Sequence, residues 1–256
     1  MREKLTQTVK QTSLSIVQNE INAVRRKNIS KTGCRVIENG KIGVAGGLGA
    51  VDCEELFARA RQGLDYGIEY NVEPGANLQH QTVLDQFKIS DNELCERIGR
   101  LLGELKRRHP HFAVSNKVNL SSVRLHLEND QQMQLSHADT YLSLSFLLKK
   151  QGSTGIMDTF FGLVDRELAE EKVLAAINEV IDAYDNVLPL PEKPLPIIIS
   201  QPSLTRLFQR DLNGKMVGNR ASLFQGQLGQ KVFSDNFSLG IARDPVETFG
   251  PAFDME

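Results

Sequence analysis

The sequence predicts an α+β fold: an N-terminal antiparallel or mixed sheet with packed helices, followed by the start of a second, β-rich domain. Three observations support this class. Apolar residues alternate over strand-length segments, capping residues precede apolar residues at helical spacing, and a proline-rich stretch interrupts the chain near residue 190. With 256 residues, the chain is long enough for one large domain or two smaller ones.

The first strands are predicted over residues 13 to 47, where β-branched and apolar residues recur in short alternation. Asn39 and Gly40 lie between Ile37 and Ile42. A type I′ turn needs two residues that accept a positive φ, and Asn-Gly satisfies this requirement. We therefore expect an antiparallel hairpin at this position.

Two helix starts follow the hairpin. Asp52 precedes Glu55 by three residues, and Ser90 precedes Glu93 by three, which is the spacing of a helix N-terminal capping box. After the second box, apolar residues recur at helical spacing and predict one buried stripe. These residues are Leu94, Ile98, Leu101, Leu102 and Leu105.

The clearest strand pattern lies between residues 118 and 161. In the first segment Val123, Leu125 and Leu127 alternate with polar residues, and the segment "TYLSLSFLL" repeats this alternation. The period of two indicates that each strand has one buried face. We expect the two strands to be neighbours in an antiparallel meander.

The domain limits follow from the next two segments. "ELAEEKVLAAINEVIDAYDNV" predicts a helix that is acidic in its first turn. "LPLPEKPLP" then contains four prolines, which cannot continue a helix. The sequence therefore predicts an N-terminal α+β domain over residues 1–187, a connector over 188–196 and the beginning of a C-terminal domain over 197–256.

Composition and charge restrict the class of protein. The formal net charge is only −2, which disfavours electrostatic capture of nucleic acid. Three widely spaced cysteines without a CxxC pair argue against a disulfide framework. No signal-peptide pattern or membrane-length apolar run occurs. We expect a cytoplasmic protein without nucleic-acid or membrane partners.

Several isolated features could belong to sites, but each has a simpler structural explanation. "GVAGGLGA", residues 43 to 50, lacks the spacing of a nucleotide-binding loop and is predicted to be a flexible loop between a strand and a helix. His109 and His111 have a spacing that can chelate a metal on a strand, but no carboxylate or thiolate is near in sequence. His137 is isolated, and Cys34 is expected to be a small core residue.

The stretch "LFQRDLNGKMVGNRASLF", residues 207 to 224, carries the strongest candidate. Its Gly214-Lys215 pair suggests a phosphate-binding loop. That motif needs a glycine at position 209, which is Gln, and Ser or Thr after the lysine, where Met216 stands. The phosphate-loop interpretation therefore fails at two positions.

Three segments resemble the TldD/PmbA family of bacterial metallopeptidase-related proteins, in which PmbA is also called TldE. They are "TGCRVIENGKIGVAGGLGAVDCEELFARA", "VSNKVNLSSVRLHLENDQQMQLSHADTYLSLSFLLKKQG" and "ASLFQGQLGQKVFSDNFSLGIARDPVETFGPAFDME". Their order and spacing carry the resemblance over nearly all of the chain. Family members continue beyond the segment that resembles "AFDME", so the resemblance implies an incomplete C-terminal domain here.

In the catalytic branch of this family, a helix carries HExxGH, which supplies two zinc-binding imidazoles and a general base. The resemblance places Arg210 at the first His, Asp211 at the Glu and Lys215 at the second His. Arginine cannot lose its proton in a protein, and lysine does so only at a large energetic cost. Arg210, Asp211 and Lys215 are therefore interpreted as degenerate metal-site positions. Asp211 is expected to pair with Arg210, Lys215 or a neighbouring cation in an exposed arrangement that contributes little to stability. We expect no catalytic residue, metal ligand or cofactor in this chain.

The resemblance implies a non-catalytic subunit of the PmbA/TldE branch. It would pair with a homologous TldD-like subunit, or with itself, in the proteolysis or maturation of unfolded peptides, and zinc is expected only in the catalytic partner. Two alternatives stay open. One is a metallopeptidase with an atypical metal site that uses His109, His111 or the C-terminal region that this chain lacks relative to the family. The other is a pure interaction module, in which Arg206, Arg210, Lys215 and Arg220 bind an anionic partner.

Overall fold

The computed structural model describes residues 1–70, 75–186, 189, 194, 196, 208–218, 220–227, 229–237 and 244–253. The chain divides into two compact units, Met1–Val187 together with Ala242–Glu256, and Leu188–Ile241. Most of the proline-rich connector and residues 197 to 207 after it lie outside the described residues. The predicted domain limits stay a prediction.

The first unit is built on one sheet. The described residues contain seven strands: β1 (Arg2–Val17), β2 (Glu20–Glu38), β3 (Lys41–Leu48), β4 (Gln79–Leu84), β5 (Phe112–Asn129), β6 (Gln134–Lys150) and β7 (Thr159–Asp165). Their order is β3-β2-β1-β5-β6-β4, and β7 also pairs with β6. Every pairing is antiparallel except that of β4 with β6, which is parallel. The predicted α+β class with a mixed sheet is confirmed.

The hairpin between β2 and β3 is confirmed at the predicted turn. Asn39 and Gly40 have φ values of 52° and 71°, and Glu38 pairs with Lys41 on either side of them. The start of β1 differs from the prediction, since the strand begins at Arg2 and not near Ser13. Residues 2 to 12 contain few apolar side chains, so their alternation is weak.

The helices of the first unit are α1 (Cys53–Gln62), α2 (Asp91–Arg108) and α3 (Glu170–Asp185). Both predicted N-caps are confirmed. Asp52 accepts hydrogen bonds from the Glu54 and Glu55 amides, and Ser90 accepts one from the Glu93 amide. A 3₁₀ turn, Gly63–Tyr66, follows α1. None of the described helices combines the length and apolarity needed to span a membrane.

The main core lies between α2, α3 and one end of the sheet. The predicted apolar stripe of α2 is fully buried there against strand residues such as Leu14, Val118, Leu144 and Phe146. Apolar side chains on α3, among them Ile177 and Ile181, complete the layer. α1 packs on β2 and β3 at the opposite end of the same sheet. The long central strands therefore run between two regions that are covered by helices.

The glycine-rich segment after the hairpin corrects one prediction. Residues 43 to 48 are part of β3 and not a flexible loop. A Cβ atom at Gly43 would lie 1.8 Å from the main-chain oxygen of Ala60 in α1. The glycine therefore permits close packing between helix and strand.

Candidate functional site

The positions that the resemblance aligns with HExxGH, Arg210, Asp211 and Lys215, lie in the second unit. Residues 208 to 211 are helical, and a short helix, α4 (Gly214–Gly218), follows after Leu212 and Asn213. Arg210 and Asp211 therefore lie in the first helical segment and Lys215 in the second. The structural description does not include the side chain of Lys215, and Arg206 lies outside the described residues.

Asp211 pairs with Arg210, but its environment differs from the prediction. The Arg210 Nη2 atom lies 3.0 Å from Asp211 Oδ2. An exposed ion pair was expected, whereas the side chain of Asp211 is only 6% exposed. Its Oδ1 accepts a hydrogen bond from the Leu223 amide at 3.3 Å, and the Ser222 hydroxyl donates to its main-chain oxygen. The carboxylate therefore holds the following loop in place.

This arrangement does not fit zinc. Arg210 is a permanent cation with no lone pair to donate, and the only carboxylate of the motif is already engaged. Among the residues that the structure describes, no group of three or more His, Cys, Asp or Glu side chains could hold a metal ion. We therefore derive no chemical step through a metal at these positions.

A second cluster, which the sequence interpretation missed, lies on the sheet of the first unit. His137 and Asp139 are neighbours on one face of β6, and their side chains are 2% and 1% exposed. Arg166, just after β7, binds Asp139 through two parallel hydrogen bonds: Nε to Oδ1 at 2.8 Å and Nη2 to Oδ2 at 2.7 Å. A buried carboxylate needs such a partner, because an unpaired buried charge is costly.

Arg166 also binds the C-terminal segment of the first unit. It donates to the main-chain oxygens of Pro245 and Val246 at 2.8 Å and 2.7 Å. Both residues belong to the short helix α5 (Pro245–Thr248), and the Phe249 ring lies 4.2 Å from the guanidinium carbon. One side chain therefore joins the sheet to the segment that crosses it.

His137 lies beneath this segment without a hydrogen-bond partner for its Nδ1 atom among the described residues. The distance from its Nε2 to Asp139 Oδ2 is 3.9 Å, which is too long for a hydrogen bond. Burial lowers the pKa of His137, the Asp139 carboxylate raises it, and Arg166 lowers it further, for a net decrease. The imidazole is therefore held in its neutral form.

A cavity of about 280 Å³ adjoins the cluster. Polar side chains of Gln7, Gln11 and Ser121 line it together with apolar ones, and Phe249 and Pro251 lie on its C-terminal side. The Tyr141 ring contacts the Phe249 ring edge-on, with centroids 5.6 Å apart. The site is therefore a small cavity with polar and apolar walls, beside the neutral His137 and the ion pair of Arg166 with Asp139.

The other candidates have structural roles. His109 bonds to Asn178 at 2.8 Å, and His111 bonds to Asp185 at 3.1 Å, so the two rings tie the end of α2 to α3. Cys34 is buried in β2, and burial raises the pKa of its thiol. The expectation that it is a core residue is confirmed.

One sequence signal could have identified the second cluster. In the segment "LSHADTY", His137, Asp139 and Tyr141 are two residues apart and therefore share one face of a strand. Polar residues on the same face as Leu135 are unexpected, since a half-buried strand carries apolar residues there. The partner Arg166 gives no such signal, because it is 27 residues away.

Comparison with known proteins gives matches in structure only. No protein-family model matches the chain, and no curated protein matches it significantly. The solved structures include proteins with the same fold. One is a proposed modulator of a DNA gyrase from Thermotoga maritima, with a TM-score of 0.68, 15% identity and coverage of 90% of this chain and 55% of that one.

Two further structures share the fold. TldE from Thermococcus kodakarensis has a TM-score of 0.56 and 14% identity over 88% of this chain and 55% of that one. A proposed modulator of DNA gyrase from Bacteroides thetaiotaomicron has a TM-score of 0.61 and 13% identity over 91% and 58%. The chain therefore has the fold of these proteins and spans somewhat more than half of their length.

Proposed function

We propose that this protein is a non-catalytic subunit of the TldD/TldE type, which pairs with a metal-bearing homologue in the proteolysis or maturation of unfolded peptides. The fold shared with TldE from Thermococcus kodakarensis supports the type. The observation that carries the non-catalytic role is the state of Asp211. At the position of the general base, it is buried, paired with Arg210 and bonded to the Leu223 amide.

The chemistry of these residues explains why the chain would need a partner. A zinc peptidase requires neutral imidazole or thiolate ligands and a carboxylate that is free to accept a proton from metal-bound water. Arg210 and Lys215 are cations at the two ligand positions, and no histidine follows His137 in the sequence given. We propose that the homologous subunit supplies the metal centre and that this chain helps to enclose the peptide.

The test measures metal content and activity separately. The purified protein should contain much less than one zinc per chain by elemental analysis, and it should not cleave an unstructured peptide such as reduced, denatured insulin B chain. Mixing with a TldD-like homologue that carries HExxGH should give a heteromer by native mass spectrometry. The mixture should cleave the peptide in a chelator-sensitive way.

Two results would overturn the proposal. The first is one tightly held zinc per chain with chelator-sensitive cleavage by this protein alone. The second is an absence of complex formation together with unchanged activity of the homologue. As a matched control, Arg210→Met should leave the metal content and the activity of the mixture unchanged, because the proposal gives this residue no role in chemistry.

A further inference from the structure

The strand β2 has a long free edge. β3 pairs with β2 only over Lys31–Glu38, so residues 20 to 30 have β1 on one side and, among the described residues, no strand on the other. Residues 24 to 29 of this segment are all exposed. A free edge of this length presents a row of unpaired main-chain donors and acceptors.

The outward-facing groups can be assigned from the pairing. The Ser30 carbonyl accepts a hydrogen bond from the Gly49 amide, so the main-chain N–H and C=O groups of Ser30 point away from β1. Along an antiparallel strand, the main-chain groups of successive residues point alternately to one side of the strand and to the other. The N–H and C=O groups of Val24, Arg26 and Asn28 therefore also point outward, and within the described part of the chain no hydrogen bond to them occurs.

The side chains around this edge are strongly cationic. Arg25, Arg26 and Lys27 follow one another on β2, Lys10 lies on the adjacent strand β1, and Lys117 lies on β5, which is the next strand beyond β1. Arg26 forms an ion pair with Asp91. Among the described residues, no ion pair involves the other four cations, and all four are exposed.

These cations lie on both faces of the edge, and each face carries a cavity. One cavity, of about 770 Å³, is lined by Lys10, Thr12, Arg26 and Asn28, and also by Lys88. The second, of about 340 Å³, is lined by Arg25, Lys27 and Lys117 together with serines of β1. A strand added to β2 would direct alternate side chains toward these two cavities.

We propose that the edge of β2 from Val24 to Asn28 binds an extended acidic peptide segment of another protein as an added strand. Main-chain hydrogen bonds would supply the register, and the cations on both faces would select carboxylate side chains. A second copy of this edge does not fit, because its cations would repel those already present. Peptide binding at this edge does not depend on the role of a non-catalytic subunit proposed above.

The probe is a fluorescein-labelled peptide, acetyl-Glu-Thr-Glu-Thr-Glu-Thr-Glu-amide, titrated with the intact protein at about 50 mM salt and followed by anisotropy. A second peptide has the same sequence with every main-chain amide nitrogen methylated, so that its charge is kept and the main-chain donors on both of its edges are lost. We expect saturable binding of the first peptide and at least about tenfold weaker binding of the second, which corresponds to about 1.4 kcal/mol.

Variants of the protein test the two features of the site, which are its cationic side chains and its outward main-chain groups. Arg25→Glu with Lys27→Glu should weaken binding at least tenfold. Asn28→Pro should also weaken it, because proline removes an outward donor without removing a hydrogen bond to β1. The matched control, Arg59→Glu with Lys172→Glu, reverses two exposed cations on α1 and α3 and should leave binding unchanged.

Several results would overturn the proposal. One is no binding of the acidic peptide at low salt, in which case the cations only protect the edge from aggregation. Another is equal binding of the methylated peptide, which would show charge attraction without strand addition. A third is tighter binding of a single-stranded DNA of equal charge. Because the methylated-peptide comparison uses the unaltered protein, it remains decisive even where a variant fails to fold.

Discussion

Arg166 and Asp139 form a two-point ion pair that connects the central sheet to the segment crossing it. The carboxylate of Asp139 on β6 is 1% exposed and is bound by Arg166 at 2.8 Å and 2.7 Å. The same guanidinium binds the main chain of Pro245 and Val246. Two parts of the first unit that are far apart in sequence are therefore held by one side chain.

Replacing Arg166 should destabilise the first unit more than a surface substitution does. Arg166→Met leaves a buried carboxylate without its cation, and such a loss costs about 3 kcal/mol or more. Chemical denaturation monitored by circular dichroism measures the change. Amide hydrogen exchange should also become faster in residues 244 to 253, because their main-chain oxygens lose a donor.

The double variant provides the control for this prediction. Asp139→Leu combined with Arg166→Met removes both charges and should be more stable than Arg166→Met alone. If the single variant is as stable as the wild type, the ion pair does not hold the segment in place.

His137 should make stability depend on pH. Its pKa in the folded protein is lowered, chiefly by burial and also by Arg166, against the opposing effect of Asp139. Below the ordinary pKa near 6.5, the unfolded chain takes up a proton that the folded protein does not. Stability should therefore fall as pH decreases from about 6.5 toward the folded pKa, by at most about 1.4 kcal/mol per pH unit.

The measurement compares wild type with His137→Leu from pH 8 to pH 5, so that effects of the other titrating groups cancel. The difference in unfolding free energy should favour the leucine variant increasingly on the acid side. At pH 8 that variant should be at least as stable as wild type, since it removes a buried nitrogen without a partner. A difference that does not change with pH would contradict this assignment.

The parts of the fold that local chemistry determines could be predicted from the sequence. Asn39 and Gly40 specify their turn, and Asp52 and Ser90 cap their helices, because each effect acts within a few residues. The ion pair between Arg166 and Asp139 could not be predicted, because it depends on the register of β7 against β6. The burial of Asp211 likewise depends on a loop that follows it.

Gly43 should be required for the contact between β3 and α1. Gly43→Ala places a methyl group 1.8 Å from the Ala60 carbonyl oxygen, so the helix must move or lose packing, at a cost of about 2 kcal/mol or more. Gly33→Ala, on the adjacent strand, meets no atom within 4 Å and serves as the control. Thermal unfolding should separate the two variants, and equal stability would show that α1 adjusts without cost.

Asp211 should act on the structure of the second unit and not on catalysis. Asp211→Ala removes the acceptor of the Leu223 amide and the partner of Arg210, which should destabilise the loop by about 1 to 3 kcal/mol. The exposed Arg220 lies within this loop, so trypsin should cleave after it faster in the variant. Arg210→Met, which leaves the Leu223 bond intact, should change the cleavage rate much less. A general base would give a different result, because its loss would reduce peptide turnover by the mixture with a metal-bearing homologue while leaving the rate of trypsin cleavage unchanged.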